Sequence, residues 1–195
     1  MTLAPTKTEE NLRQGFKYFN RFMVFWWRLG MGPYFNRPEL SGSIMVITHT
    51  GRKSGLPRRT PVNYAMLGGE VYCTAGFGAG SDWYRNIMAY PQVEVWLPEG
   101  WYEGVAEDIS DDPARPFYLR QVLIGSGFAA RAAGIDPVKM SNEELAPLTQ
   151  SYRLVRIRLV APRTGAGGPG DLVWVWPVAT SVLLGMLFLR RRRCR

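Results

Sequence analysis

The sequence contains very little histidine and cysteine. Among its 195 residues, His49 is the single histidine, and Cys73 and Cys194 are the two cysteines. Disulfide frameworks and Cys/His metal sites need several such residues, so both are excluded for practical purposes. Catalytic triads built on histidine or cysteine are nearly excluded by the same scarcity. If the chain is an enzyme, we therefore expect its chemistry to come from a cofactor.

The chain also carries little net positive charge outside its C-terminus. The net charge is +8, but five arginines occupy positions 190–193 and 195, and subtracting them from +8 leaves +3. The other basic clusters are an N-terminal segment and one loop, a division that argues against a nucleic-acid partner. The 46% hydrophobic content excludes a disordered chain, and the length suits a single domain.

Residues 9–30 carry the clearest helical pattern of the chain. At 100° per residue, the basic and polar side chains fall within a sector of roughly 120°. These residues are Arg13, Gln14, Lys17, Asn20, Arg21 and Arg28. Aromatic and aliphatic side chains cover the rest, which is typical of a helix lying in a membrane interface. The alternative is a helix packed on its own domain, and both interpretations stay open for this amphipathic N-terminal segment, residues 1–32.

Six short runs with the composition of strands follow, separated by turn residues. They are residues 43–50, 58–67, 70–76, 92–97, 101–109 and 152–160. Gly68-Gly69 predicts a two-residue hairpin. Residues 81–90 predict a short helix with Asp82 as its N-cap, ended by Pro91. Residues 111–149 read as helical with glycine interruptions. This pattern predicts a small antiparallel barrel over residues 33–162.

The C-terminal region combines a flexible composition with an uncharged run. Residues 163–171 are rich in glycine and predict a linker. Residues 172–189 carry no charge, and at 1.5 Å per residue they would span about 27 Å, close to the ~30 Å hydrocarbon core of a bilayer. Trp174 and Trp176 lie near one end and the arginine run closes the other. Residues 172–195 therefore predict a transmembrane helix with an arginine-rich end.

The stretch THTGRKSGLPRRTPV, residues 48–62, concentrates positive charge in a turn. Gly51 and Gly55 allow the backbone to turn tightly, and arginine, lysine and serine side chains are donors suited to phosphate or carboxylate. The spacing is not that of the Walker nucleotide-binding loop. Taken alone, the residues leave two interpretations open, an anion-binding loop and a solvated hairpin tip.

The basic loop is the first of several motifs that follow one another in a fixed order. The motif TGRKSGxxRxxPV, a hairpin, the corner GFGAG and the segment DWYRNIMAYPQVEV follow one another over residues 44–97. In this order they resemble the deazaflavin-dependent nitroreductase and quinone reductase family, which uses coenzyme F420, and residues 152–160 resemble its closing strand. The resemblance implies a mainly β (α+β) fold, a six-stranded antiparallel split β-barrel of the FMN-binding type with flanking helices. The C-terminal hydrophobic helix would be an addition to it.

The resemblance also implies which residues hold the cofactor. Its anionic tail, which carries phosphate and glutamates, would be bound by Arg52, Lys53 and Ser54. The wall leading to the ring would be Arg58, Arg59, Thr60, Pro61, Val62 and Asn63. The strand end beside the ring would be Thr74, Ala75, Gly76 and Phe77, although position 77 is often polar or basic in the family. A second cofactor segment would be Asp82, Trp83, Tyr84, Arg85 and Asn86.

The implied reaction is hydride transfer from reduced F420 to a quinone or a nitroaromatic acceptor. The sequence does not identify a proton donor, and the candidates are Tyr64, Tyr118 and Tyr152. No metal is expected. Two alternatives remain: an oxidoreductase of related fold that uses FMN, and a carrier that binds flavin or haem without turnover.

The apolar tail and the aromatic helix add an expectation about location. We expect the protein at the cell membrane, in contact with lipid, with its catalytic domain on the cytoplasmic side. The positive-inside rule would instead hold the arginine tail in the cytosol and the barrel outside, yet Met1–Lys7 has no signal-peptide pattern. The topology therefore stays open, as does the oligomeric state, for which a homodimer is one option.

Overall fold

Six antiparallel strands close into a barrel. The computed structural model describes residues 7–37 and 42–193. In chain order the strands are β1 (Ile44–Thr50), β2 (Pro57–Leu67), β3 (Glu70–Ala75), β4 (Gln92–Leu97), β5 (Gly100–Asp108) and β6 (Arg153–Pro162). They pair in the order β1-β2-β3-β6-β5-β4, always antiparallel. The predicted six-stranded antiparallel barrel is confirmed.

The hairpin between β2 and β3 follows directly from its glycines. Gly68 and Gly69 have φ angles of 59° and 82°, and Leu67 pairs with Glu70 across them. Type I′ turns require positive φ at both central residues, and two glycines meet that requirement without steric cost. This turn fixes the register that brings β2 and β3 side by side.

Apolar side chains from all six strands fill the barrel. Alternate residues of a strand point to one face, and the inward set includes Met45, Ile47, Val71, Val95 and Ile157, none of which is exposed to solvent. Cys73 also points into the barrel, and burial raises the pKa of its thiol. A buried, protonated thiol is inert, so this cysteine is a packing residue.

Helices surround the barrel. They are α1 (Lys7–Arg28), α2 (Asp82–Ala89), α3 (Arg115–Gly125), α4 (Phe128–Ala132), α5 (Asn142–Leu148) and α6 (Val175–Arg193). The predicted helical region 111–149 therefore forms three helices. Gly127 and Gly134, with φ angles of 53° and 77°, lie at the two ends of α4, where a left-handed backbone favours glycine.

The start of α2 differs from the prediction. Ser81 is the N-cap, its side chain makes no capping hydrogen bond, and Asp82 is the first helical residue. The Asp82 carboxylate instead accepts a hydrogen bond from the Arg52 guanidinium at 2.9 Å. The side chain that was expected to cap the helix therefore binds the basic loop.

The second half of α1 packs on the barrel wall. Trp27 is 1% exposed and lies against Val46, Trp96 and Trp101, with Val24 beside them. On other faces of the helix, large aromatic side chains are half exposed or more. They are Tyr18, Phe19, Phe22 and Phe25. The helix therefore docks on its own domain, while an aromatic surface is left in solvent.

The C-terminal linker is anchored to the end of α1. Arg28 makes a bidentate contact with the Asp171 carboxylate, with 2.9 Å from both Nε and Nη2. The Gly170 and Leu172 amides donate to the Trp27 and Arg28 carbonyls at 2.9 and 2.8 Å. These bonds satisfy carbonyls that the last turn of a helix leaves free. The segment predicted as a flexible linker thus ends in specific contacts.

The predicted transmembrane helix over residues 172–195 is not supported. The chain forms turns up to Trp174, so α6 begins only at Val175, and its last residues are arginines. Its uncharged part would measure about 22 Å at 1.5 Å per residue. Among residues 7–37 and 42–193, no helix is long and apolar enough to cross a bilayer. Cys194 and Arg195 lie outside the described residues.

Candidate functional site

The basic loop is a tight turn between β1 and β2. The Gly51 amide donates to the Leu56 carbonyl at 2.9 Å, and the Gly55 amide donates to the Gly51 carbonyl at 2.8 Å. Gly55 has φ 66°, and a Cβ on Gly51 would lie 2.7 Å from the Ser54 hydroxyl. Gly55 is therefore favoured by its backbone conformation, whereas at Gly51 a side chain would crowd the Ser54 hydroxyl.

Arg52 attaches this loop to α2. Its backbone amide and its Nη1 both donate to the Asn86 side-chain oxygen, at 3.1 and 2.9 Å. Its Nη2 donates to the Asp82 carboxylate at 2.9 Å. Lys53 and Ser54 are exposed. The arginine that was predicted to bind an anion thus already has protein partners, whereas the neighbouring lysine does not share them.

His49 completes a buried polar chain behind the loop. Its Nδ1 lies 3.2 Å from the Asn86 side-chain nitrogen, and its Nε2 lies 3.1 Å from the Thr60 hydroxyl. Because the Asn86 oxygen accepts from Arg52, its nitrogen must donate to Nδ1, which leaves the proton on Nε2. Burial, and secondarily the charge of Arg58, lowers the His49 pKa to about 4. The imidazole is therefore neutral at neutral pH.

A cavity of 530 Å³ opens beside β2, next to this network. It collects side chains from β2, the end of β3, the start of α2 and helices α3 and α4. Nine of the predicted cofactor residues line it: Thr60, Pro61, Val62, Asn63, Thr74, Gly76, Phe77, Asp82 and Trp83. Of the three tyrosines predicted as proton donors, Tyr152 is among the residues that line this cavity.

The other predicted residues lie elsewhere. Ala75 and Tyr84 are buried in the barrel core, and the Arg85 guanidinium donates to the Ala79 carbonyl at 2.8 Å. Arg58 and Arg59 line a neighbouring groove beside α1.

Two of the three tyrosine candidates are outside the cavity. Tyr64 belongs to the barrel core, where burial raises its pKa to about 12. Tyr118 stacks on Tyr72 with ring centroids 4.4 Å apart. The structure thus brings Tyr152, and neither of the others, to the cavity.

One wall of the cavity consists of residues that the sequence did not predict. The residues are Leu123, Ser126, Ala129, Ala130, Ala133 and Ile135, together with Asn20, Gly80 and Ser81. The available signal was the run GSGFAARAAG, residues 125–134, because small side chains permit close approach of a flat ligand. Among the described residues, no group of His, Cys, Asp and Glu side chains could hold a metal ion.

The buried His49 makes stability sensitive to acid. The His49 pKa is about 4 in the folded protein, below its ordinary value, so the fold favours the neutral imidazole. This preference contributes its full stability above pH ~6.5, and the contribution is lost as the pH falls toward 4. Across that window the loss is of order 3 kcal/mol. Urea unfolding at pH 7, 5.5 and 4.5 should show that His49→Gln, although less stable at pH 7, loses less stability on acidification. Equal pH slopes in both proteins would contradict this.

The chain is similar to one protein family and to several solved structures. Residues 34–143 match the sequence model of the F420H(2)-dependent quinone reductase family. Among solved structures, one described as an F420 reductase is 21% identical, with a TM-score of 0.44, over 64% of this chain and 91% of that one. The F420-H2-dependent reductase FDR-A is 19% identical, with a TM-score of 0.43, over 58% and 92%.

A third solved structure is also similar to this chain. HutZ, the heme storage protein of Vibrio cholerae, is 12% identical, with a TM-score of 0.43, over 63% of this chain and 82% of its own. The match to the family model shows the family, because residues 34–143 make up more than half of the chain. The resemblance carried by the basic loop and the DWYRN segment is therefore confirmed, and this protein belongs to the F420H(2)-dependent quinone reductase family.

Proposed function

We propose that the protein binds reduced F420 with its ring in the 530 Å³ cavity and reduces a quinone there. The F420 dependence and the oxidoreductase class come with the family. The observation that carries the proposal is the convergence of three motif segments, β2, the end of β3 and the start of α2, on one cavity. When bound, the deazaflavin supplies a hydride.

The residues around the cavity fit a flat ring. Gly76, Gly80, Ala129 and Ala133 offer little side-chain bulk, and Trp83 adds an apolar wall. Thr60, Asn63 and Ser126 supply hydrogen-bonding groups. This mixture, mostly apolar or small with a few polar groups, is typical of cofactor sites. Walls of this kind would hold the ring and exclude water from the acceptor.

Tyr152 is our choice for the proton donor. Reduction of a quinone to a hydroquinone consumes one hydride and one proton. The ring of Tyr152 lies against the end of β3, where a Cβ on Gly76 would be 3.8 Å from its Cζ. Burial raises the pKa of its hydroxyl, so the group carries its proton at neutral pH. It would donate that proton, or a hydrogen bond, to the acceptor oxygen and recover it from solvent.

The assay for this function mixes the purified protein, reduced F420 and a menaquinone analogue. Tyr152→Phe should lower kcat roughly 10²-fold and leave the Kd of F420 nearly unchanged. Tyr118→Phe is the matched control, since Tyr118 stacks on Tyr72 outside the lining of the cavity, and it should react at the wild-type rate. Wild-type turnover by Tyr152→Phe would reject the assignment. The same assay tests nitroaromatic acceptors, and titration with FMN tests the alternative cofactor.

The basic loop should contribute binding energy for the anionic part of F420. Removing both charges, in Arg52→Ala/Lys53→Ala, should weaken F420 binding by about 2–5 kcal/mol. Lys53→Ala alone separates anion binding from loop structure, because Arg52 holds the loop through Asn86 and Asp82, whereas Lys53 is exposed. Fluorescence titration gives the dissociation constants, with Arg158→Ala, an exposed arginine on β6, as the charge control. An unchanged constant in the double variant would refute this role.

We also propose that the protein associates with membrane surfaces, where quinones dissolve. The support is an exposed aromatic face on α1 and an α6 whose apolar side chains, such as Leu183 and Phe188, are more than half exposed. Arginines form the C-terminal end of this helix, and such a combination favours anionic lipid.

A chain truncated after Trp176 tests the association. This truncation keeps the Arg28–Asp171 pair and the Trp176 hydrogen bond to the Leu29 carbonyl, so the C-terminal segment stays attached to the end of α1. It should sediment with phosphatidylglycerol vesicles much less than the full chain, and neither should bind phosphatidylcholine strongly. Undiminished binding by the truncated chain would assign the contact to α1 and not to the tail.

A further inference from the structure

Tyr152 lies at the end of a turn between α5 and β6, the 149–152 turn. Its amide donates to the Thr149 carbonyl at 3.0 Å. Thr149 is fully buried, and its amide and its hydroxyl both donate to the Leu145 carbonyl, at 3.0 and 2.8 Å. The two residues in the middle of the turn are exposed. The turn is therefore tied to α5 at its start, while its middle lies in solvent.

Arg115, the first residue of α3, reaches this turn from another part of the chain. Its Nη2 donates to the Thr149 carbonyl at 2.8 Å and to the Tyr152 carbonyl at 3.2 Å, so a single nitrogen bridges the two ends of the turn. Hydrogen bonds from a charged donor are stronger than those between neutral groups. In the described part of the chain, no carboxylate within 4 Å of this guanidinium competes for it.

The start of α3 gives Arg115 a fixed base. The Arg115 amide donates to the Asp112 carbonyl at 2.9 Å, and the Asp112 carboxylate accepts from the Ala114 amide at 2.7 Å. Four residues further along, Leu119 lies on the same side of the helix and belongs to the apolar cluster against which Tyr152 packs. The helix therefore holds Tyr152 twice, through apolar packing and through the bond from Arg115 to its carbonyl.

The other side of the 149–152 turn rests on the glycine corner between β3 and α2. Gly78 has a φ angle of 61°, and a Cβ on it would overlap the Ser151 carbonyl oxygen. A Cβ on Gly76, which lines the cavity, would lie 3.8 Å from Cζ of Tyr152. The turn thus has no room to move toward the corner, and the bridge from Arg115 restrains it on the side of α3.

We propose that Arg115 is a positioning residue, which bridges the 149–152 turn and so keeps the Tyr152 hydroxyl within reach of the quinone oxygen. The inference rests on the proposed function, because it takes Tyr152 to donate the proton. In that reaction the quinone gains one hydride from the reduced deazaflavin and one proton from Tyr152, which gives the hydroquinone. Arg115 is not among the residues that line the cavity, and it exchanges no proton.

The size of the expected effect follows from the geometry of proton transfer. The donor must lie within hydrogen-bond reach of the oxygen that it protonates, and a misplacement of about 1 Å can lower a rate on the order of 10²-fold. Without Arg115, the turn keeps its bonds to α5 and its contact with the glycine corner. We therefore expect a loss smaller than the one caused by removing the Tyr152 hydroxyl.

The test compares four full-length proteins: the wild type, Arg115→Gln, Tyr152→Phe and the double variant, each with reduced F420 and a menaquinone analogue. Arg115→Gln should lower kcat about tenfold. It should leave the Kd of F420 nearly unchanged, because Arg115 lies outside the lining of the cavity. In the Tyr152→Phe background the same change should not lower kcat further, because no donor remains to be positioned.

Hydrogen exchange gives a readout that does not depend on the reaction. The bond from the Tyr152 amide closes the turn, so a peptide containing residues 149–152 should exchange severalfold faster in Arg115→Gln than in the wild type. Arg115→Lys keeps a charged nitrogen with several N–H donors and should recover part of both kcat and protection. This conservative variant also tests the proposal if Arg115→Gln does not fold.

Arg120→Gln is the matched control. Arg120 belongs to the same helix, and its guanidinium donates to the Pro137 carbonyl and, at 2.7 Å, to the Asn142 side-chain oxygen, both outside the 149–152 turn. The control removes a comparable contact between an arginine and a carbonyl, so thermal unfolding should show a similar loss of stability. Its kcat and the exchange of residues 149–152 should remain those of the wild type.

Two results with Arg115→Gln would overturn the proposal: a wild-type kcat, or wild-type exchange of the turn. A further tenfold loss of kcat in the double variant would also overturn it, because the arginine would then act on something other than Tyr152. If Tyr152→Phe loses turnover while Arg115→Gln keeps it, the positioning role fails and the proposed function stands. If the wild type reduces no quinone, the function fails and the positioning role fails with it.

Discussion

The buried side chain of Asn86 determines how the site is assembled. Its oxygen accepts two hydrogen bonds from Arg52, so its nitrogen can only donate, and the acceptor it meets is His49. A charged imidazole would set a donor against a donor between two buried side chains. The orientation of the basic loop on α2 therefore depends on a neutral histidine, and such networks are rigid when every member is satisfied.

The basic residues fall into two groups according to their partners. Arg52, Arg28 and Arg59 have protein partners, and they position the loop, the C-terminal segment and the groove. Lys53, Arg21 and Arg58 have no carboxylate partner among the described residues. Arg28 and Arg52 are already paired with carboxylates, and a paired charge gains less from an anionic ligand. Anion affinity is therefore expected mainly from the basic side chains that have no carboxylate partner among the described residues.

The sequence was informative where structure is decided locally. Alternating residues, Gly68-Gly69 and Pro91 predicted the strands and their turns, and the motif predicted the segments from β2, β3 and α2 that meet at the cavity. The α3–α4 wall was missed because tertiary packing decides which side of a helix faces a cavity. The roles of His49 and Asn20 were missed for the same reason, since their partners lie on other elements.

The tail was misread because hydropathy counts residues without regard to where a helix starts. Asp171 binds Arg28, and the turn that follows uses residues 172–174, so part of the apolar run is spent on docking against α1. The same docking holds Gly167 against Arg59 and Gly168 within reach of Trp101, where a Cβ would lie 2.5 Å from the ring. The C-terminal segment thus contacts both α1 and the start of β2, on either side of the groove lined by Arg58 and Arg59. The matched segment, residues 34–143, supplies most of the 530 Å³ cavity. Residues of α1, outside that segment, complete the groove that Arg58 and Arg59 line. Differences in ligand preference within a family are expected to arise in such added regions.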